Sequence, residues 1–347
     1  MVAAVPSVPI DRVAVVGAGL VGASWAVVFA RAGLAVQVHD AEPAQLPRAR
    51  AGIEASLRAL EGAGLLREAV ADVLGRIGFH DTLAAALAGA QYVQESIIES
   101  LPAKRELFAA MDRAAGGSAI LASSTSAFAT SSFAADLAGR GRCLVAHPVN
   151  PPHLVPFVEV SGAPFTDEAA VRDTIALMAR VGQSPINVRR EIHGFVLNRL
   201  QWTLLAEAYR MVAEGVASAE DIDRAVRDGL GRRWAFMGPF EVGDLNAPDG
   251  LADYLGRFGP TIEKIADSRR GEPLRLDPAV TAALHAQLRA RWPDSAREQR
   301  LLERDRRLLA LSAHLSPVAA PDVAPDAVPS SARIKVSKSP KKMEIPT

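Results

Sequence analysis

The stretch Val13-Ala-Val-Val16 runs directly into Gly17-Ala-Gly19-Leu20-Val21-Gly22. No other feature narrows the possible folds of this chain as much. A short, wholly apolar run reads as a buried strand, and glycines at this spacing make a tight turn that opens a helix. The helical pattern continues over Leu20–Ala32, Gly33 stops it, a second strand follows over Ala35–His39, and Asp40 comes next. A lone Gly-x-Gly-x-x-Gly carries little information. Between two strands, opening a helix and followed by an acid, it predicts a dinucleotide site with the pyrophosphate on the helix N-terminus. Gly17 permits the turn, Gly19 lets a pyrophosphate approach the backbone, and Gly22 lets helix and strand pack closely. Asp40 suits the adenosine ribose and repels a 2′-phosphate, so NAD is expected rather than NADP. Gly17, Gly19, Leu20, Val21, Gly22 and Asp40 are the candidate cofactor-binding residues.

The same alternation continues. Strand patterns at 76–79, 91–94, 119–122, 143–146 and 156–160 are separated by helical patterns, including 43–61, 102–115 and 168–181. This order predicts βαβ units and a mostly parallel sheet, an α/β Rossmann-type domain over residues 1–192. After Gly194 only helical patterns remain, at 195–214, 219–229, 252–266, 278–291 and 295–311, which predicts an all-α domain over 193–315. From Ser316 the chain turns to Ala, Pro, Asp and Ser and then becomes basic, with four of its six lysines at Lys335, Lys338, Lys341 and Lys342. Such a composition buries too little surface to offset its ordering entropy, so a disordered tail is expected over 316–347.

Composition excludes several classes. Lys+Arg and Asp+Glu are both 39, and this balance argues against a chain-wide grip on nucleic acid or an anionic membrane. Cys143 is the single cysteine, so neither an internal disulfide nor a Cys-rich zinc site is expected. No apolar run approaches a membrane span or a signal-peptide core. A soluble, cytoplasmic protein without a metal is the expectation.

Two further stretches carry chemistry. Leu121-Ala-Ser-Ser-Thr-Ser126 closes one predicted strand, and Ala146-His147-Pro-Val-Asn150-Pro-Pro closes another. Glu159 lies inside the apolar strand at 156–160 and, as a buried carboxylate, needs a partner. His147, at the ligand-binding edge of the sheet, is the natural one. Oxidation of a secondary alcohol needs a base that titrates near neutral pH, the range of a histidine, together with donors aimed at the reacting oxygen. Each residue also has a plainer reading: a core histidine for His147, a helix cap for Ser126, an exposed polar side chain for Asn198 and a surface charge for Lys104. The other histidines (His39, His80, His153, His193, His285 and His314) lack such coupling and read as structural.

Taken together, the glycine turn, Gln94-Glu-Ser-Ile-Ile-Glu99-Ser-Leu-Pro-Ala-Lys104, Ser-Ser-Thr-Ser126, His147-Pro-Val-Asn-Pro-Pro and Gly194-Phe-Val-Leu-Asn198 resemble the 3-hydroxyacyl-CoA dehydrogenase superfamily, most of all its lambda-crystallin/L-gulonate 3-dehydrogenase branch. The resemblance spans about residues 10–312. It implies that His147 is the general base, that Glu159 orients it, and that Ser126 and Asn198 hold the reacting oxygen. It further implies that Glu99 and Lys104 contact the nicotinamide-side ribose. It also implies a homodimer formed through the helical domain, in keeping with the broad apolar surface of the helix at 195–214.

The resemblance leaves the substrate open between a free hydroxy acid and an acyl-CoA. The Ser56 of the CoA-using members is present, but Glu61-Gly-Ala-Gly64 stands where they carry lysines. Arg233, in Asp228-Gly-Leu-Gly-Arg-Arg233-Trp-Ala-Phe-Met-Gly238, has the planar fork that reads a carboxylate, although an ordinary surface arginine explains it nearly as well. Asn150 is a further substrate-binding candidate. An NAD-dependent L-3-hydroxy-acid dehydrogenase most like L-gulonate 3-dehydrogenase is the leading expectation. A 3-hydroxyacyl-CoA dehydrogenase comes second. L-carnitine dehydrogenase and a non-catalytic, crystallin-like NAD-binding protein come after it.

Overall fold

The computed structural model describes residues 10–269, 271 and 273–315; the tail expected from Ser316 onward lies outside them. The first region runs β1 (Arg12–Val16), α1 (Leu20–Arg31), β2 (Ala35–His39), α2 (Gln45–Gly62), α3 (Val70–Leu74), β3 (Ile77–His80), α4 (Leu83–Leu87), β4 (Tyr92–Glu95), α5 (Leu101–Ala114), β5 (Ile120–Ser123), α6 (Thr130–Ala134), β6 (Cys143–Pro148), β7 (Phe157–Gly162), α7 (Glu168–Arg180) and β8 (Ser184–Asn187). The second is helical: α8 (Leu197–Ala213), α9 (Ala219–Arg224), a π-helical turn (Ala225–Leu230), α10 (Gly231–Trp234), α11 (Pro239–Leu245), α12 (Gly250–Asp267), α13 (Pro278–Arg291) and α14 (Arg297–Leu315).

The eight strands form one sheet in the order β3-β2-β1-β4-β5-β6-β7-β8. Strands β1 to β6 are mutually parallel, and β7 runs antiparallel to β6. Helices cover both faces of this sheet, so its strands are almost continuously apolar, as in buried parallel sheets. One apolar cluster joins Val13, Val15, Trp25, Phe29, Val36, Ile53, Leu57 and Tyr92, and a second joins Val16, Val93, Phe108, Met111, Leu121 and Phe133 on the other face. The strand order reverses between β1 and β4. In an open α/β sheet, the crevice at the carboxyl ends of the strands there receives ligands.

Strand β8 (Ser-Pro-Ile-Asn) has no alternating pattern and was not expected. It is an edge strand, where Pro185 can pair opposite Val158 without a ladder hydrogen bond being lost. No helix among the described residues is long and apolar enough to cross a membrane.

Candidate active site

The glycine turn has the geometry its residue types predict. Gly17 has φ +97°, and a Cβ there would lie 2.6 Å from the Ser96 carbonyl oxygen. A Cβ on Gly22 would lie 1.8 Å from the Gly17 oxygen, so any larger residue would push α1 off the turn. Nothing lies within 4 Å of the corresponding position on Gly19, which leaves open space over the start of α1. That helix has no side-chain cap and no acid in its first turn. Its free N–H groups and partial positive charge therefore suit a pyrophosphate. Asp40 braces the turn: Oδ2 accepts from the Ala18 N–H at 2.6 Å and Oδ1 from the Glu42 N–H at 2.9 Å. Each oxygen keeps a lone pair for a ribose hydroxyl. These residues fit a dinucleotide. Val21 lines the adjoining cleft, and Leu20 is largely exposed beside it.

His147 and Glu159 oppose each other in register across the antiparallel β6–β7 pair. His147 Nδ1 lies 2.8 Å from Glu159 Oε2, and both side chains are buried. A carboxylate only accepts, so in the neutral imidazole Nδ1 carries the proton and Nε2 is the acceptor. The other Glu159 oxygen accepts from the Val196 and Leu197 N–H groups at 2.8 and 2.9 Å. One carboxylate thus orients the imidazole and caps the N-terminus of α8. The chain enters that cap through Gly194 (φ +76°) and Phe195 (φ +46°). Phe195 is a non-glycine residue in the left-handed region. It is held there by full burial, with its ring centroid 5.7 Å from that of His147.

The cap places Asn198 in the first turn of α8, where its Nδ2 donates to the Ser126 carbonyl at 3.3 Å. Ser126, His147, Asn150, Leu197, Asn198 and Gln201 line one cleft of about 380 Å³ together with Val21, Ser96 and Glu99. Glu99 fixes the loop that carries Ser126: its Oε1 accepts from the Thr125 hydroxyl at 2.6 Å and from the Ser126 and Ala127 N–H groups at 2.9 Å. Partial burial acts to raise the Glu99 carboxyl. The Thr125 hydroxyl, the Lys104 ammonium and the two amides outweigh that and hold it below the usual carboxylate range.

Lys104 lies beneath the cleft rather than on its wall. Its ammonium is buried and meets Glu95 Oε1 at 2.9 Å, Glu95 Oε2 at 3.1 Å and Glu99 Oε2 at 3.4 Å. Two hydrogen bonds hold it on Glu95, and Glu99 adds an ion pair. Glu95 was missed from sequence. It is fully buried at the end of β4, and it also accepts from the Ser123 hydroxyl and the Ile97 N–H. An acid ending an apolar strand, nine residues before a lysine in an arginine-using chain, is the signal that could have found it.

Arg233 is not brought to this cleft. It lines a separate pocket with Leu230, Trp234, Val242, Tyr254 and Phe258. No group of three or more His, Cys, Asp or Glu side chains among the described residues could hold a metal ion.

The 3-hydroxyacyl-CoA dehydrogenase NAD-binding domain matches residues 12–192, and the C-terminal domain of the same enzymes matches residues 194–273. The chain belongs to the 3-hydroxyacyl-CoA dehydrogenase family. It is 43% identical over 286 residues to a lambda-crystallin homolog of Bos taurus, covering 82% of this chain and 88% of that one. It is 42% identical over 262 residues to an L-carnitine dehydrogenase of Streptomyces griseus, covering 75% of this chain and 77% of that one. Among solved structures, it is similar to an NAD+-dependent dismutase, 5-formyl-3-hydroxy-2-methylpyridine 4-carboxylic acid 5-dehydrogenase. The TM-score is 0.69 at 28% identity, covering 87% of this chain and 97% of that one. The chain is an NAD-dependent dehydrogenase that acts on a CH–OH group.

Proposed function

We propose that this dehydrogenase oxidises the 3-hydroxyl of a free L-3-hydroxy acid to the 3-keto product, most like L-gulonate 3-dehydrogenase. The observation that carries this reading is the buried His147–Glu159 pair, whose imidazole opens onto the cleft shared with Ser126 and Asn198. His147 Nε2 takes the hydroxyl proton, and the Glu159 carboxylate stabilises the resulting imidazolium without moving. Ser126 donates to the reacting oxygen. Asn198, tied to the Ser126 carbonyl, fixes that serine against the first turn of α8, and Asn150 borders the substrate. NAD supplies the hydride acceptor. Lys104 acts from below, through Glu95 and Glu99. The non-catalytic reading has little support, because this set of polar residues is complete.

Three observations favour a free acid over an acyl-CoA. The last turn of α2 carries no basic residue, so nothing there pairs with nucleotide phosphates. One relative is named for carnitine and one structural neighbour for a pyridine carboxylic acid, both free acids. The carnitine relative keeps L-carnitine as a specific alternative. The family name itself favours the acyl-CoA reading.

The lining of the cleft includes no Arg or Lys. A cationic carboxylate reader would therefore come from another surface, and the proposed homodimer would be the means of bringing Arg233 to a neighbouring cleft. The test is to assay the purified protein with NAD and L-gulonate, L-carnitine, L-3-hydroxybutyrate and 3-hydroxybutyryl-CoA, each on the parent and on Arg233→Lys. Lysine keeps the charge but not the fork. A marked rise in KM for the preferred free acid, with a smaller change in kcat, is expected. Better turnover of 3-hydroxybutyryl-CoA by the parent would overturn the free-acid reading.

A further inference from the structure

Ser96 and Ser124 stand at the ends of β4 and β5, between the glycine turn and His147, and both line the cleft. Their hydroxyl directions follow from counting donors. Gln94 is buried, and its Nε2 lies 3.2 Å from the Ala146 carbonyl, an acceptor only. This orients the amide, and its Oε1 accepts from the Tyr92 hydroxyl at 2.6 Å. Nε2 then also donates to Ser124 Oγ at 2.7 Å. The Trp25 indole, a donor only, gives a second hydrogen bond to the same oxygen at 3.1 Å. Both lone pairs of Ser124 are now used, so its own proton must be donated. The Ser96 hydroxyl oxygen, 2.9 Å away, is the acceptor. Ser96 accepts that hydrogen bond and keeps its own proton to donate, at a residue that lines the cleft.

The position of Ser96 indicates what it addresses. Its N–H donates to the Val16 carbonyl, immediately before the glycine turn, and its own carbonyl lies against Gly17. A dinucleotide held at that turn must pass Ser96 to bring its reactive ring to His147. We propose that the Tyr92–Gln94–Ser124 chain, with Trp25, locks the Ser96 hydroxyl as a donor to an oxygen of the cofactor's nicotinamide-riboside half, either the carboxamide oxygen or a ribose oxygen. Ser96 is then a cofactor-binding residue, and Gln94, Ser124 and Trp25 are positioning residues. A site built this way binds an acceptor at that point and discriminates against a donor. The inference rests on the NAD site and not on the choice of substrate.

Titration calorimetry with NAD, ADP-ribose and ADP tests it without turnover. Ser96→Ala should weaken NAD binding by roughly 3- to 10-fold, the range of one hydrogen bond. ADP, which ends at the pyrophosphate, should bind as to the parent. Loss of ADP-ribose affinity would place the acceptor on the ribose, and unchanged ADP-ribose affinity would place it on the carboxamide. Ser124→Ala should weaken NAD in the same direction, Ser124→Thr should restore it, and adding Ser124→Ala to Ser96→Ala should cost little more. Parent-like NAD affinity in Ser96→Ala, or an equal loss for ADP, would overturn the contact. Additive losses in the double variant would overturn the relay.

Discussion

The two halves of this chain are folded by different means. In the α/β region the sheet is covered on both faces, and Trp25, Phe29, Tyr92 and Phe108 are completely enclosed. Among the described residues every fully enclosed large side chain, up to Phe195, lies before α8. Beyond it the pattern inverts. Asn198 is the one buried residue of α8, and α12, α13 and α14 bury none. Leu205 is 62% exposed, Ile265 61%, Phe236 66% and Phe240 74%. Burying such a side chain stabilises by roughly 1.5–3 kcal/mol, so leaving so many in water is incompatible with a helical region that stands alone. The α/β region supplies its own core, while the helical region presents surface that a second copy of the chain would cover. That asymmetry is the physical basis for proposing a homodimer.

The largest expected effect lies on the self-sufficient side. His147→Gln should lower turnover by roughly 10²–10⁴-fold, the usual contribution of a general base. NAD affinity should stay within a few-fold of the parent, because the glycine turn and Asp40 do not depend on the imidazole. Turnover within a few-fold of the parent would remove His147 from its assigned role.

The comparison is tested most directly by placing a charge on the exposed helical surface. Light scattering of the parent should give twice 36.7 kDa. Leu205→Glu and Ile265→Glu should shift the protein toward monomer and depress turnover, while NAD binding by the α/β region persists. A parent that runs as a single 36.7 kDa chain at micromolar concentration would break the proposal.

Asp40→Ala is a smaller change within the α/β region. It removes the proposed ribose acceptor together with the brace on Ala18. The preference for NAD over NADP should fall by roughly an order of magnitude, in line with loss of a hydrogen bond to a charged group. A parent that uses NADP as efficiently as NAD would show that Asp40 does not select the cofactor.

What could be read from sequence cuts across that division. Strands β1 and β6 were legible because a buried parallel sheet writes short apolar runs. Strand β8 was not, because Pro185 and two polar ends hide an edge strand. The short helices α3, α4 and α6 span too little chain to show a period. His147 and Glu159 could be coupled because a buried acid needs a partner and the nearby strand end offered one. The second function of Glu159, capping α8 through Val196 and Leu197, left no trace, since backbone N–H groups have no sequence signature. Arg233 was matched to a carboxylate by its chemistry alone. Its placement in a different pocket depends on how α10, α11 and α12 pack, which a hydrophobic pattern does not encode.

The last predicted effect lies on the seam between the two regions and is read in stability rather than in activity. Helix α14 reaches back to the α/β region: Leu308 and Leu309 pack against its core, and the Ser312 hydroxyl donates to the Leu154 carbonyl. His153 lies on that seam with its Nδ1 buried and unpaired. Burial, and then the Arg31 guanidinium beside it, push its imidazole from 6.5 down to about 4 against the opposing pull of Asp305. The folded state therefore holds His153 neutral while the unfolded chain protonates it below pH 6.5. Stability from this group is fully present above that pH and is lost progressively as pH falls toward 4, to a total of up to roughly 3 kcal/mol. His153→Leu should flatten that part of the acid limb in denaturant titrations between pH 6.5 and 4, without affecting the limb below it, where the carboxylates protonate. An unchanged slope between pH 6.5 and 4 in the variant would show that His153 is not held neutral in the folded state.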